Sequence, residues 1–243
     1  MIRLQNKDKI VAEVFNVVAK RYDLMNDLMS FGLHRLWKRK MKRLVNPVSG
    51  ERILDVAGGT GDIAFLLSDK EKKGQGKDII VCDINPNMLG VGKERAEKRG
   101  ISGLEWVEGN AEKLPFEEKS FDKYTIAFGI RNVSDVNAAL RDAHRVLKDS
   151  GQFYCMEFHS LKDDSLFAKL FKPLYKFYLF KIIPFIGKIV VGDAAPYEYL
   201  ADSIWKFPTE NDFCNMMEQA GFSDVKSTPI MFGVVNICYG IST

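Results

Sequence analysis

The sequence predicts an α/β fold built on a mostly parallel sheet with helices on both faces. Three observations carry this. Between residues 50 and 160, short apolar runs alternate with helical patterns, as in parallel strands joined by helices. The first run, Arg52–Ile53–Leu54–Asp55–Val56, breaks into Ala57–Gly58–Gly59–Thr60–Gly61 and resumes as a helical pattern. Such a turn brings backbone N–H groups to a ligand with no Cβ in the way. Asp83 closes the second run, Ile79–Ile80–Val81–Cys82, where nucleoside-binding sheets place a carboxylate for ribose hydroxyls.

Taken in order, residues 7–20 read as a helix, with Ile10, Val11, Val14, Val17 and Val18 at helical spacing. Residues 22–37 are rich in Met and aromatics, and read either as a lid packed on the core or as a wall over a hydrophobic substrate. From His34 to Arg43 the chain is strongly basic, which suits a solvated helix face or an anionic membrane surface. Strands are expected near 52–57, 79–83, 104–108, 122–128 and 152–158, with helices near 61–70, 87–99 and 135–147. The fourth strand runs into Phe128–Gly129–Ile130–Arg131–Asn132–Val133, which should open onto the same crevice as the glycine turn.

Residues 165–192 contain no acidic side chain, five lysines and seven aromatics. Interspersed lysines, with Pro173 and Pro184, exclude a transmembrane helix, which needs about 20 mostly apolar residues. An interfacial element, a cap over an apolar pocket, or a plain core insertion remains. Helices are expected over 196–207 and 209–220, the second capped by Thr209 and stopped at Gly221. Two last runs, 224–228 and 233–239, form an antiparallel hairpin at the sheet edge. The whole reads as one domain: a helical lid (1–48), a nucleoside-binding core (50–160), a helical aromatic insertion (161–208) and a closing helix and strand pair (209–243).

The ligand of the turn is S-adenosylmethionine or a dinucleotide. Gly59–Thr60–Gly61–Asp62–Ile63–Ala64 fits GxGxxA, which dinucleotide folds tolerate. Asp55 favours the former, because a carboxylate there repels a pyrophosphate and pairs with a cationic amino-acid end. Asn110 and Ala111, after the third strand, suit an adenine edge. Five parallel strands finished by an antiparallel pair, without a second domain, also fit a methyltransferase better than a dehydrogenase.

The 243 residues carry a formal charge of +3, too small to suggest nucleic acid. The four cysteines lie far apart without metal-ligand spacing, so no metal and a reducing, cytoplasmic compartment are expected. The first eight residues lack a signal core.

The chain resembles the ubiquinone/menaquinone biosynthesis C-methyltransferase family along nearly its whole length. The most specific stretch is Tyr22–Asp23–x–Met25–Asn26–x–x–Met29–Ser30–x–x–x–His34–x–x–Trp37. Residues 57–62, 83–85, 110–116 and 128–133 resemble the remaining blocks. The resemblance implies a class I, Rossmann-like S-adenosylmethionine methyltransferase that methylates a ring carbon of a polyprenylated benzoquinol or naphthoquinol. Cofactor contacts are expected at Asp55, Gly59, Thr60, Asp83, Asn110 and Ala111. Arg131 and Asn132, with Tyr22, are the catalytic candidates. Another small hydrophobic acceptor, or an NAD-binding oxidoreductase, is the alternative. A peripheral contact with the inner face of a membrane, a quinone-biosynthesis complex and a homodimer are the partners implied. Two stretches depart from the family: Ala127 stands where Ser is more usual, and Asp149–Ser150–Gly151 and His159 stand where Pro–Gly–Gly and a final Ser are more usual; His159 is expected at the surface, with the crevice edge, where it would affect proton handling, as the alternative.

Overall fold

A computed structural model describes residues 27, 30–68, 78–160 and 166–243. The expected helix over 7–20 and Tyr22 lie outside them. Seven strands form one sheet: β1 (Arg52–Val56), β2 (Asp78–Asp83), β3 (Leu104–Glu108), β4 (Phe121–Ala127), β5 (Leu147–Phe158), β6 (Phe222–Ile230) and β7 (Val235–Ser242). Their order is β3-β2-β1-β4-β5-β7-β6, with the first five parallel and β7 antiparallel to both neighbours. The chain therefore closes with β7 in the slot between β5 and β6. β5 starts earlier than the apolar run implied, because Leu147 pairs with Phe121 before the register shifts.

The helices are α1 (Leu33–Val45), α2 (Asp62–Leu67), α3 (Pro86–Arg99), α4 (Val136–Val146), α5 (Leu166–Phe177), α6 (Ile183–Val191), α7 (Ala195–Lys206) and α8 (Glu210–Gln219). Their starts follow the side chains: Asn85, Asp135 and Thr209 each cap a helix by accepting from backbone N–H groups two or three residues on. One core cluster, around Tyr124, Phe121, Phe153 and Phe213, packs α4 and α8 on one face of the sheet. The other, around Trp37, Met41, Ile53, Ile79 and Met156, packs α1 and α2 on the opposite face. Both faces of the sheet are covered, which is why its central strands are apolar runs rather than alternating ones.

α5, a short wider turn (Tyr178–Ile182), α6 and α7 form the insertion. It has its own apolar cluster, Leu179, Ile183, Tyr197, Ala201 and Ile204, and joins the main core through Phe158. No helix of the described residues is long and apolar enough to cross a membrane.

Candidate functional site

The C-terminal ends of β1, β2 and β4 open onto a cleft lined by the glycine turn and by the loops after β2, β3 and β4. Six expected contacts, Asp55, Gly59, Thr60, Asp83, Asn110 and Ala111, line this one cleft, and so does Asn132.

Asp55 is 1% exposed. Its Oδ1 accepts from the Thr125 hydroxyl at 2.8 Å, whereas its Oδ2 is buried with no partner among the described residues. Burial pushes its carboxyl up to about 7, against the opposing bond from Thr125. Gly58 makes this possible: a Cβ there would stand 2.6 Å from Val81 Cγ1 and 3.0 Å from Asp55 Oδ2. A buried carboxylate with one oxygen unmet recruits a cation and repels a phosphate. The amino-acid end of S-adenosylmethionine fits it; a pyrophosphate does not.

Asp83 accepts from the Gly59 N–H at 2.8 Å and from the Asn85 N–H at 2.9 Å, which aims its carboxyl across the turn. Burial raises its pKa, with those N–H groups acting against the rise. Thr60 is anchored by Arg95, which bonds its hydroxyl and its carbonyl oxygen. Arg95 also bonds Asp62 at 2.8 Å, and Lys38 of α1 reaches the other Asp62 oxygen at 2.6 Å. Burial would raise the Asp62 carboxyl, yet the two cations hold it below its ordinary value. The basic run over 34–43 is therefore not wholly a solvated face, because Lys38 turns inward and lines the cleft. Its signal was positional: Lys38 shares one helical stripe with His34, Trp37, Met41 and Val45.

Asn110 folds its loop by accepting from the Glu112 N–H, and Glu112 in turn accepts from the N–H groups of Ser134 and Asp135, each at 2.9 Å. The loops after β3 and β4 are thus tied together over the cleft. The β4 loop also crosses the glycine turn closely, since a Cβ on Gly129 would stand 2.4 Å from the Ala57 Cβ. Ala57 (φ 50°) and Phe128 (φ 57°) both occupy the left-handed region, at the ends of neighbouring strands. Each costs about 1–2 kcal/mol for a residue with a side chain, and such strain gathers at functional sites.

Phe128 lines the cleft and heads an aromatic group. Its ring centroid is 5.0 Å from Phe158 and 6.3 Å from Trp37, and Trp37 meets Phe158 at 6.1 Å. Arg131 lies behind this group rather than on the cleft wall. Its Nη1 donates to Glu157 Oε1 and to the Phe128 carbonyl, both at 2.6 Å, and its Cζ is 5.9 Å from the Phe158 centroid. Glu157 is fully buried; burial raises its pKa while Arg131 opposes the rise. Sequence reasoning missed Glu157, although a lone carboxylate in the apolar run of β5 demands a partner. His159 is not at the surface: it is 1% exposed, packed against Phe207 and Phe213, with Nδ1 3.2 Å from the Pro208 carbonyl. Phe207 and Phe213 come from the α7–α8 region, which is why the sequence neighbourhood of His159 did not reveal its burial.

Residues 3–242 match the ubiE/COQ5 methyltransferase family. The chain is 50% identical to the ubiquinone/menaquinone biosynthesis C-methyltransferase UbiE of Rhodopseudomonas palustris, covering 98% of this chain and 93% of that protein. It is 46% identical to the mitochondrial 2-methoxy-6-polyprenyl-1,4-benzoquinol methylase of rice (Oryza sativa), covering 98% and 84%. Among solved structures, an S-adenosylmethionine-dependent methyltransferase from Thermotoga maritima shares the fold, with a TM-score of 0.65 at 18% identity over 96% of this chain and 99% of that one.

Proposed function

The chain belongs to the ubiE/COQ5 methyltransferase family, and from that premise we propose that it methylates a ring carbon of a polyprenylated benzoquinol or naphthoquinol in ubiquinone or menaquinone biosynthesis. The observation that carries the reading is the cleft itself, where a cation-seeking Asp55 and an aromatic and amide wall, Phe128 and Asn132, face one space.

Bound there, S-adenosylmethionine supplies an electrophilic methyl group on a sulfonium. Asp55 takes the cationic amino-acid end, Asp83 the ribose hydroxyls, and the Asn110–Ala111 loop the adenine edge. A quinol ring carbon becomes nucleophilic as a neighbouring hydroxyl loses its proton, so the protein must align the ring and stabilise the developing phenolate. Asn132 donates to the ring oxygen. Arg131, held by Glu157 and the Phe128 carbonyl, fixes the Ile130–Asn132 turn and adds its field; as a permanent cation it is no base, so water receives the proton. The family resemblance adds Tyr22 to the catalytic candidates.

The insertion supports a peripheral contact with an anionic membrane. Phe171, Leu174, Phe177, Phe185 and Ile189 are exposed on it, among Lys172, Lys176, Lys181 and Lys188. Apolar side chains meeting acyl chains while lysines meet headgroups is the interfacial pattern, and it would bring the site to a substrate with a prenyl tail. Reversing the charge of Lys172, Lys176 and Lys181 should then weaken binding to anionic vesicles at low salt; unchanged binding would leave the insertion as a cap alone.

The direct test is transfer of label from S-adenosylmethionine to short-tailed demethylated benzoquinol and naphthoquinol under reducing conditions. Label in either quinol supports the reading and names the ring. Label in neither, with S-adenosylmethionine still bound, directs attention to another hydrophobic acceptor.

A further inference from the structure

The charges that line the cleft are unevenly shared. Asp55, Asp62, Asp83 and Glu112 line it, and among the described residues Lys38 is the one cation that does so. The sulfonium of S-adenosylmethionine suits such a cleft, but its amino-acid end carries an α-carboxylate beside the α-ammonium. The Asp55 carboxyl that suits the ammonium repels the other group on the same carbon. That second group needs a cation close by.

Lys38 stands where such a cation is needed. It is 7% exposed and enters from α1, on the inward stripe with Trp37 and Met41. Its Nζ donates to Asp62 Oδ2 at 2.6 Å, and Asp62 opens α2 directly after the glycine turn. Asp55 lies at the other end of that turn, where a Cβ on Gly58 would stand 3.0 Å from its Oδ2. The turn itself is tight, the Gly61 N–H donating to the Gly58 carbonyl at 2.9 Å. The Lys38 ammonium and the unmet Asp55 oxygen therefore flank one short turn and line one cleft.

The bond to Asp62 does not exhaust the charge. Arg95 takes the other Asp62 oxygen at 2.8 Å, so two cations meet one carboxylate and one positive charge is left over. Of the two cations, Lys38 is the one on the cleft wall. An ammonium has three donors, and Asp62 takes one of them.

We propose that Lys38 is a cofactor-binding residue that holds the α-carboxylate of S-adenosylmethionine, opposite Asp55 on the α-ammonium. This rests on the cofactor placement above. Together the two side chains recognise the amino-acid end as a zwitterion. With Asp55 alone, the cleft would favour a sulfonium that carries an amine and no carboxylate. Trp37, the preceding residue of α1, meets Phe128, so the helix that grips the cofactor also carries a ring of the aromatic group.

The test is calorimetric titration of the full chain with S-adenosylmethionine and with its decarboxylated analogue, which keeps the sulfonium and the amine. Lys38→Met should weaken S-adenosylmethionine about 10- to 100-fold, the range for one charge-assisted hydrogen bond. The analogue should bind this variant at least as tightly as the parent, which also shows that the cleft keeps its shape without the Lys38–Asp62 bond. Lys38→Arg should restore most of the lost affinity. Unaltered S-adenosylmethionine affinity in Lys38→Met overturns the proposal and gives the carboxylate to the N–H groups of the turn. An equal loss for both ligands also overturns it, and leaves Lys38 as a support for Asp62. If the parent binds neither ligand, the cofactor placement falls as well.

Discussion

On the side of the cleft proposed for the cofactor, the polar groups, Lys38 apart, are backbone N–H groups and short side chains, set within a few residues of a strand end. On the side proposed for the acceptor they are long side chains, Arg131 and Glu157, paired across elements far apart in sequence. The first side leaves one carboxylate oxygen unmet and waiting, at Asp55. The second side neutralises its charges against one another. On the proposed reading, the cofactor half is organised to recruit charge, while the acceptor half settles its own charges against one another before the ring arrives.

Breaking the acceptor side should cost the most. Glu157→Ala leaves the buried Arg131 charge without its carboxylate, and should lower unfolding free energy by about 3–5 kcal/mol, read by chemical denaturation. The double change Arg131→Met with Glu157→Leu should recover most of that stability without recovering turnover. Recovery of turnover as well would reduce the pair to packing. On the cofactor side the expected loss is in binding rather than folding. Asp55→Asn should weaken S-adenosylmethionine about 10- to 100-fold by calorimetric titration, the range for a charge-assisted contact, and unaltered affinity would remove Asp55 from the site.

A smaller effect tests the seam between the halves. Gly129→Ala drives a methyl group against Ala57 and should destabilise by about 1–3 kcal/mol, with both substrates affected because both loops move. The mildest probe is pH. The Asp55 carboxyl stands at about 7 against an ordinary 3.8. Between those values the folded, cofactor-free protein holds a proton that the unfolded chain has lost, so this group's contribution to stability falls as pH rises through the window. Cofactor affinity should move the opposite way, rising roughly tenfold between pH 6 and pH 8 as the carboxyl ionises. In Asp55→Asn both slopes from this group should vanish.

That the expected cofactor contacts gather at one cleft was legible in the sequence because the physics that gathers them is local. A strand, a glycine turn and a carboxylate at the next strand's end follow from short-range pattern, and Asp55, Gly59, Thr60, Asp83, Asn110 and Ala111 reach one cleft. The acceptor half was less legible. Arg131 and Asn132 were singled out together, yet only Asn132 lines the cleft, because Glu157 draws the neighbouring guanidinium behind Phe158. That pairing spans 26 residues, and Lys38 to Asp62 spans 24, with nothing in local periodicity to announce either. His159 shows the same limit, its burial set by Phe207 and Phe213.

The position of β7 has a consequence for how the chain is made. β6 is synthesised before β7, yet it has no place in the sheet until β7 pairs with β5. Until then β5 presents a bare edge on a sheet that is otherwise complete, and β6 waits as an unpaired strand. Such edges are where nascent chains capture one another. The antiparallel closure should therefore be the late, aggregation-sensitive step of biogenesis, and variants that slow it should lose yield before they lose activity.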